Sequence, residues 1–568
     1  MVEGKYMEGK TKFRQKTFDS FSEQYSNGYF LDKNHDIFVE RYKIHQYWSR
    51  KPWYVVRKYI EKYSNIGDLV LDPFVGGGVT AFEALALKRG IIARDLNPTS
   101  ILLTKIICEN EFDLNLFKNY FIKIMENIPP NIRDLYKTKC RQCGNDLEFI
   151  NAIRNKEIPT YIYIHCHNCG FKGIVEPIEE DIIKIDTIKN IIIDNWYPKN
   201  IPLPKDADVK FVDQLHTKRN LIALSELRKL IDLTPDIKYK NALLLMLIST
   251  TTRTTKCIFI NKYRFSKGVN PAGVWGEKRF WVPQEYIENN VVYYFNERFD
   301  KLIKAKEETN RILNSENLIR QIEIGSAQKL IRINDNSIDY IFTDPPYAGA
   351  VKYLDLSTVW NAWLDQLPVK SDEIVLYSGQ KYNQYFNELK IAIEEMFRVI
   401  KPHKYLSICF HFSNLLLWKK TLDLLGVFNY IFDQVEIISP QKKSHNQITM
   451  KGTMDTDVII TFQKDKRETL DDEDNFIQGD LKVSNIVKEY LHSVRNCSFK
   501  TTELYDIIVK KMAECILTRR QTKIDIDILN IKDLEQLLLK EKIKNVIYYE
   551  KDYKGIDREI LKWEANNE

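Results

Sequence analysis

Along this chain, short apolar runs alternate with amphipathic stretches in two separate places. The runs Asp68 to Phe74, Gly90 to Leu96, Ser337 to Thr343, Tyr405 to Phe412 and Asp457 to Phe462 have strand length and lie close to turn-forming residues. Val79 to Leu87 and Tyr385 to Val399 repeat their apolar positions at helical spacing. Strands alternating with helices predict an α/β fold, with a mostly parallel sheet covered on both faces. The two stretches, Tyr42 to Cys108 and Ile322 to Lys464, each hold too few strands for a good core of their own. One doubly wound sheet interrupted by an insertion is therefore expected. This gives an arm at 1–40, a first core part at 41–110, an insertion at 111–320, a second core part at 321–465 and a C-terminal region at 466–568.

The insertion continues mainly as helical pattern. In the C-terminal region Glu503 to Ile516 and Ile531 to Ile543 read as amphipathic helices and Asn545 to Tyr549 as a strand, an α-rich order that would suit a small winged-helix module. The composition, 44% hydrophobic and 29% charged, is that of an ordinary globular protein and argues against disorder. A net charge of +6 leaves nucleic-acid binding open, since a basic excess matters where it clusters. The longest apolar run, Ala242 to Ile248, falls far short of the ~20 residues that cross a bilayer, so no membrane role is expected. The first thirty residues have no apolar leader segment. Nine cysteines, four of them in two CxxC pairs, point to a reducing, cytoplasmic setting and to a metal in place of disulfides.

The strand Leu69 to Leu71 runs into Asp72-Pro73-Phe74-Val75-Gly76-Gly77-Gly78-Val79-Thr80 and then a helix. Glycines at such a turn let backbone approach a ligand and offer helix N-terminal amides to an anionic group. No Gly-Lys-Ser/Thr follows, which excludes a P-loop, and Ala81 breaks the dinucleotide fingerprint. The next strand ends in Asp95, roughly twenty residues on, where a carboxylate can accept from two ribose hydroxyls. A tight turn and a helix cap would produce the same residues separately. Together they favour a nucleoside cofactor.

A later strand ends in Asp344-Pro345-Pro346-Tyr347. Two prolines stop a strand and hold a rigid loop that keeps its carbonyls as acceptors. An adjacent aspartate adds an acceptor and a tyrosine adds a flat face, a set suited to an amino group on an aromatic ring. These residues, with Arg50-Lys51-Pro52-Trp53 and the glycine turn, resemble the amino-methylating DNA methyltransferases, in the motif order of their alpha group. The resemblance implies a Rossmann-like seven-stranded sheet with one reversed strand, and S-adenosyl-L-methionine as cofactor. It assigns Asp72, Phe74, Gly76 and Gly78 to the methionine part, Asp95 to the ribose, and Lys51 and Pro52 to closing the pocket. Ser326 falls at a cofactor-side position where many members carry an acid. Asp344, Pro345, Pro346 and Tyr347 become the catalytic set. The implied substrate is a flipped-out adenine in double-stranded DNA, methylated at N6. Cytosine N4, an RNA amine, or an inactive DNA-binding subunit of the same fold remain open. A restriction or phage-defence protein is the kind of partner such an enzyme keeps.

Cys140, Cys143, Cys166 and Cys169, in two CxxC pairs each followed by glycine, have the spacing of a structural Zn2+ ribbon over about residues 137–175. Farther along, Arg253, Lys256, Lys262, Arg264, Lys267, Lys278 and Arg279 meet a single acid, Glu277. Aromatics lie between them, a composition that grips phosphates and stacks on bases. This part of the insertion is expected to be a helical, target-recognising surface. Lys442, Lys443, His445 and Asn446 form a smaller polar cluster near the end of the sheet.

Overall fold

The computed structural model describes residues 39–564 except 276–279, 314–316, 350, 377–381, 429, 439–456, 467–480, 494–497, 519–523, 541–542 and 552–556. Residues 1–38 of the arm, Lys278, Arg279 and the cluster from Lys442 to Asn446 lie outside the described residues.

Seven strands form one sheet: β1 (Leu69–Asp72), β2 (Gly90–Asp95), β3 (Arg320–Ile324), β4 (Ile338–Thr343), β5 (Ile400–Phe410), β6 (Tyr430–Ile438) and β7 (Asp457–Lys466). Their order is β3-β2-β1-β4-β5-β7-β6. All run parallel except β7, which pairs antiparallel with β5 and with β6. The expected single sheet with one reversed strand is what the chain forms. β1 and β4 sit side by side, Val70 opposite Tyr340, although about 270 residues separate them. The insertion therefore leaves and re-enters without breaking the sheet.

Buried side chains alternate between the two faces of the strands. Val70, Ile91, Tyr340 and Phe342 face one core with the helix α1 (Trp53–Tyr63), the helix α2 (Val79–Ala86) and the insertion. Leu71, Ile92, Ile341 and Ile408 face a second core. There Leu389 and Ile393 of the helix Tyr382–Val399 meet Leu504, Ile508 and Met512 of the C-terminal region. The C-terminal helices thus share the sheet's own core. Their region continues as helix Val483–Ser493, strand Ser498–Phe499, helix Thr501–Leu517, helix Ile531–Lys540 and the antiparallel pair Lys544–Lys551 and Asp557–Glu564. The last strand lies between the other two.

The insertion is mostly helical and packs its longest helices, Ile237–Thr254 and Val291–Ile312, against α3 (Pro98–Cys108). It also holds a four-stranded antiparallel sheet: Glu285–Asn289, Asn151–Asn155, Ile158–His165 and Lys172–Val175. One expectation needs correction. Beyond Thr254 the basic, aromatic stretch is helical only at Lys262–Ser266 among the described residues. It forms the hairpin of Ile258–Ile260 with Ala272–Trp275, joined through the short helix Lys262–Ser266. Gly268, with φ of 65°, and Pro271 punctuate this segment, and alternating burial in Ala272–Trp275 marks it as strand.

Candidate active site

In open α/β sheets, ligands bind beyond the carboxyl ends of the strands where strand order reverses, here between β1 and β4. A cavity opens there. Its near wall is the glycine turn. Gly76 and Gly78 have φ of 50° and 80°, left-handed values that a side chain would strain, and Gly78 caps α2. A Cβ on Gly78 would stand 2.9 Å from Thr104 Oγ1. Gly77 leaves room for the half-buried Arg50 side chain, which a Cβ would strike. The Gly76 N–H and the Ser100 hydroxyl both donate to Asp95 Oδ2, and the Asn97 N–H donates to Oδ1, each at 2.9 Å. The carboxylate at the end of β2 is thereby aimed before any ligand arrives.

The far wall is the end of β4. The Thr343 hydroxyl donates to Asp72 Oδ1 at 2.9 Å, tying the proline loop to the glycine turn. Burial pushes Asp72 up to about 7. Tyr385 donates to the Pro346 carbonyl at 2.7 Å and so fixes the proline loop. The Tyr347 hydroxyl donates to Asp344 Oδ1. Lys51 comes from the segment ahead of α1. Its Nζ lies 3.5 Å from Asp344 Oδ2, 3.0 Å from Asp457 Oδ2 and 5.0 Å from the centre of the Tyr347 ring. His411, just past β5, places Nδ1 3.3 Å from Asp457 Oδ1. Burial, opposed by Lys51 and reinforced by Asp457, holds Asp344 up at about 6. Burial also acts to raise Asp457, but Lys51 and His411 outweigh it and hold that group at about 2.

Lys51, Asp72, Phe74, Gly76, Asp95, Asp344 and Pro346 all line this one cavity. Tyr347 is buried at its edge, while Pro52 caps α1. Ser326 does not line it. The Ser326 hydroxyl accepts from the Gln328 N–H, and Ala327 presents the wall there instead. Acidic residues reach that end from another segment, Asp372 and Glu373, whose loop is tied to Gln328 by a 3.0 Å bond to the Asp372 carbonyl. Sequence reading gave no role to Asp457, His411, Arg50 or the stacked pair Tyr47 and Tyr353, 6.1 Å apart. The signal for Asp457 was an acid opening the strand Val458-Ile459-Ile460, which identifies a strand start and no partner.

In the insertion, the Sγ atoms of Cys140, Cys143, Cys166 and Cys169 lie within 4.8 Å of one another. The closest pairs are Cys140–Cys169 at 3.6 Å and Cys143–Cys166 at 3.7 Å. Four thiolates at ~2.3 Å from a tetrahedral zinc would stand about 3.8 Å apart, so the donors fit that ion. Each CxxC tips an antiparallel strand pair and closes on a glycine, Gly144 or Gly170, whose N–H donates to the Cys140 or Cys166 carbonyl. His165 and His167 pack on each other, with ring centres 4.4 Å apart.

On the basic hairpin Lys262, Arg264 and Lys267 are exposed, and Tyr263 and Trp281 are 73% and 55% exposed. Arg253 turns inward to the Gly273 carbonyl at 3.2 Å, and Lys256 lies 3.7 Å from Glu157. Behind the hairpin, Trp275 contacts Trp48, which stacks on Trp360 at 4.7 Å and lines the cavity.

Residues 5–105 match the family model described as DNA methylase, and residues 56–176 match that of the D12 class N6 adenine-specific DNA methyltransferases. Both models are of DNA methyltransferases, and together they match residues 5–176, which include the glycine turn and the cysteine pairs. Type II methyltransferase M.MjaII of Methanocaldococcus jannaschii is 21% identical over 55% of this chain and 59% of its own length. Type II methyltransferase M.BsoBI of Geobacillus stearothermophilus is 22% identical over 53% of this chain and 48% of its own. The matches thus span about half the length of these relatives. A solved SAM-dependent methyltransferase from Methanosarcina mazei is 15% identical over 29% of this chain and 77% of its own, with a TM-score of 0.17. At that score the likeness adds nothing to the topology above. Among the described residues, no helix is long and apolar enough to cross a membrane.

Proposed function

We propose that this protein is an S-adenosylmethionine-dependent DNA methyltransferase that methylates adenine N6 of a flipped-out base within a specific duplex sequence. The observation that carries the reading is the single cavity in which the glycine turn and Asp95 face Asp344 across the switch point of the sheet. When bound, the cofactor supplies an electrophilic methyl group on a sulfonium. Gly76, Gly77 and Phe74 would hold its amino-acid end and Asp95 its ribose. Asp344 would accept a hydrogen bond from the target amine, and the rigid proline loop keeps that acceptor fixed. That hydrogen bond would turn the nitrogen lone pair toward the methyl group and leave the amine its proton to lose. For that proton Asp344, held at about 6, is the acceptor at hand. An aspartate at position 344 favours adenine.

Lys262, Arg264 and Lys267, with Tyr263 and Trp281, would grip the DNA backbone and unpaired bases. The four cysteines would hold a structural Zn2+, and the C-terminal order of elements would suit a small winged-helix-like module. Changing Cys140 and Cys166 to Ser should release about one metal ion per chain and destabilise the insertion, since metal binding is folding energy in such ribbons; unchanged metal content would contradict this. The functional test is methyl transfer from labelled donor to mixed-sequence duplex DNA, followed by nucleoside analysis. N6-methyladenine is expected. N4-methylcytosine would move the assignment to the other amine.

A further inference from the structure

The charged cluster beyond Asp344 joins groups that no single motif contains. Lys51 precedes α1, Asp344 follows β4, Asp457 opens the reversed strand β7, and His411 follows β5. The Lys51 ammonium stands over the Tyr347 ring and beside Asp344, where a target base carrying an amine would have to lie. A lysine fully engaged with Asp344 would neutralise the acceptor and cover the ring. Lys51 instead bridges the two carboxylates, and Asp457 holds it closer, at 3.0 Å against 3.5 Å. His411 takes the other Asp457 oxygen and keeps that carboxylate turned toward the lysine.

We propose that Lys51 and Asp457 are positioning residues that act as a balanced pair on Asp344, Asp457 drawing the ammonium off so that the carboxylate is left for the target amine. This rests on the reading that Asp344 receives that amine. The charges oppose each other. Lys51 favours the ionised form of Asp344, and Asp457 disfavours it, both directly and by holding Lys51 away. Among the described residues, the other titratable groups facing Asp344 are Tyr347 on its own loop, Asp72 at the end of β1, Cys409 on β5 and Tyr353 on the helix Tyr353–Leu356. None of them is a cation that could replace Lys51.

The test is the pH profile of single-turnover methyl transfer by the full chain, with cofactor binding measured in parallel. In the unaltered protein the rate should fall as pH drops through about 6, where Asp344 takes up a proton. Lys51→Met should move that fall upward and Asp457→Asn should move it downward, each by about one pH unit. Lys51→Arg keeps the charge and should leave the fall nearly in place. A merely structural role would not move the two variants in opposite directions. Limbs that stay together, or shift the same way, with cofactor binding intact, overturn the inference while leaving the methyltransferase reading standing. Where Asp457→Asn does not fold, Lys51→Met decides alone, and a limb that fails to rise overturns it. No transfer by the unaltered chain would overturn that reading and this inference with it.

Discussion

The two ends of the cavity are built in different ways. At the cofactor end, the Gly76, Asn97 and Ser100 donors to Asp95 come from within 19 residues, and two of these three are backbone N–H groups. The carboxylate is oriented by the turn that it helps to shape. At the reacting end, Lys51, Asp344 and Asp457 meet across separations of hundreds of residues, and their charges compete. Under the proposed function, one end holds the cofactor and the other does the chemistry. A preformed, locally closed site suits a cofactor common to many reactions. A site balanced between distant charges can respond to the arrival of a base, and it is only as good as the sheet that brings its parts together.

The largest expected effect falls on the reacting end. Asp344→Ala should lower methyl transfer by at least about 10^2-fold, since a positioned acceptor contributes that much or more. The contrast is sharpened at the holding end. Asp95→Ala should weaken cofactor binding about 10- to 100-fold, the value of charge-assisted hydrogen bonds lost, with a smaller effect on the rate at saturating cofactor. Calorimetry and saturation kinetics would check the split, and an Asp95 variant with normal affinity would break the comparison. The smallest effect lies outside the cavity. Replacing Lys262 and Lys267 together with Ala should weaken DNA binding at moderate salt. It should also reduce the slope of log affinity against log salt by about 2, as each lost phosphate contact removes roughly 0.9. An unchanged slope would remove the hairpin from the DNA interface.

What the sequence disclosed follows the same division. Strands β1, β2, β4 and β5 were legible because their apolar runs are short and close to turn residues, and the split sheet followed from core size. Asp72, Phe74, Gly76 and Asp95 were legible as candidates because the turn is contiguous. Asp457 was legible only as the start of a strand: its partner lies some 400 residues earlier, and nothing in a local pattern encodes a pairing across the sheet. Ser326 misled for a related reason. The position is defined by the turn after β3, but the bond to Gln328 withdraws its hydroxyl, and the wall there is finished by the loop carrying Asp372. The basic stretch looked helical because charge and aromatic content carry no period; its glycine and proline decide for a hairpin.

The central claim is that one cavity divides into a holding end and a reacting end. Cofactor affinity and methyl transfer to duplex DNA, measured side by side on the unaltered chain and on Asp344→Ala, test it most directly. The account predicts N6-methyladenine from the unaltered chain, and from the variant almost no product with a cofactor Kd within about threefold of the original. Loss of both binding and transfer would place Asp344 at the holding end and contradict the division.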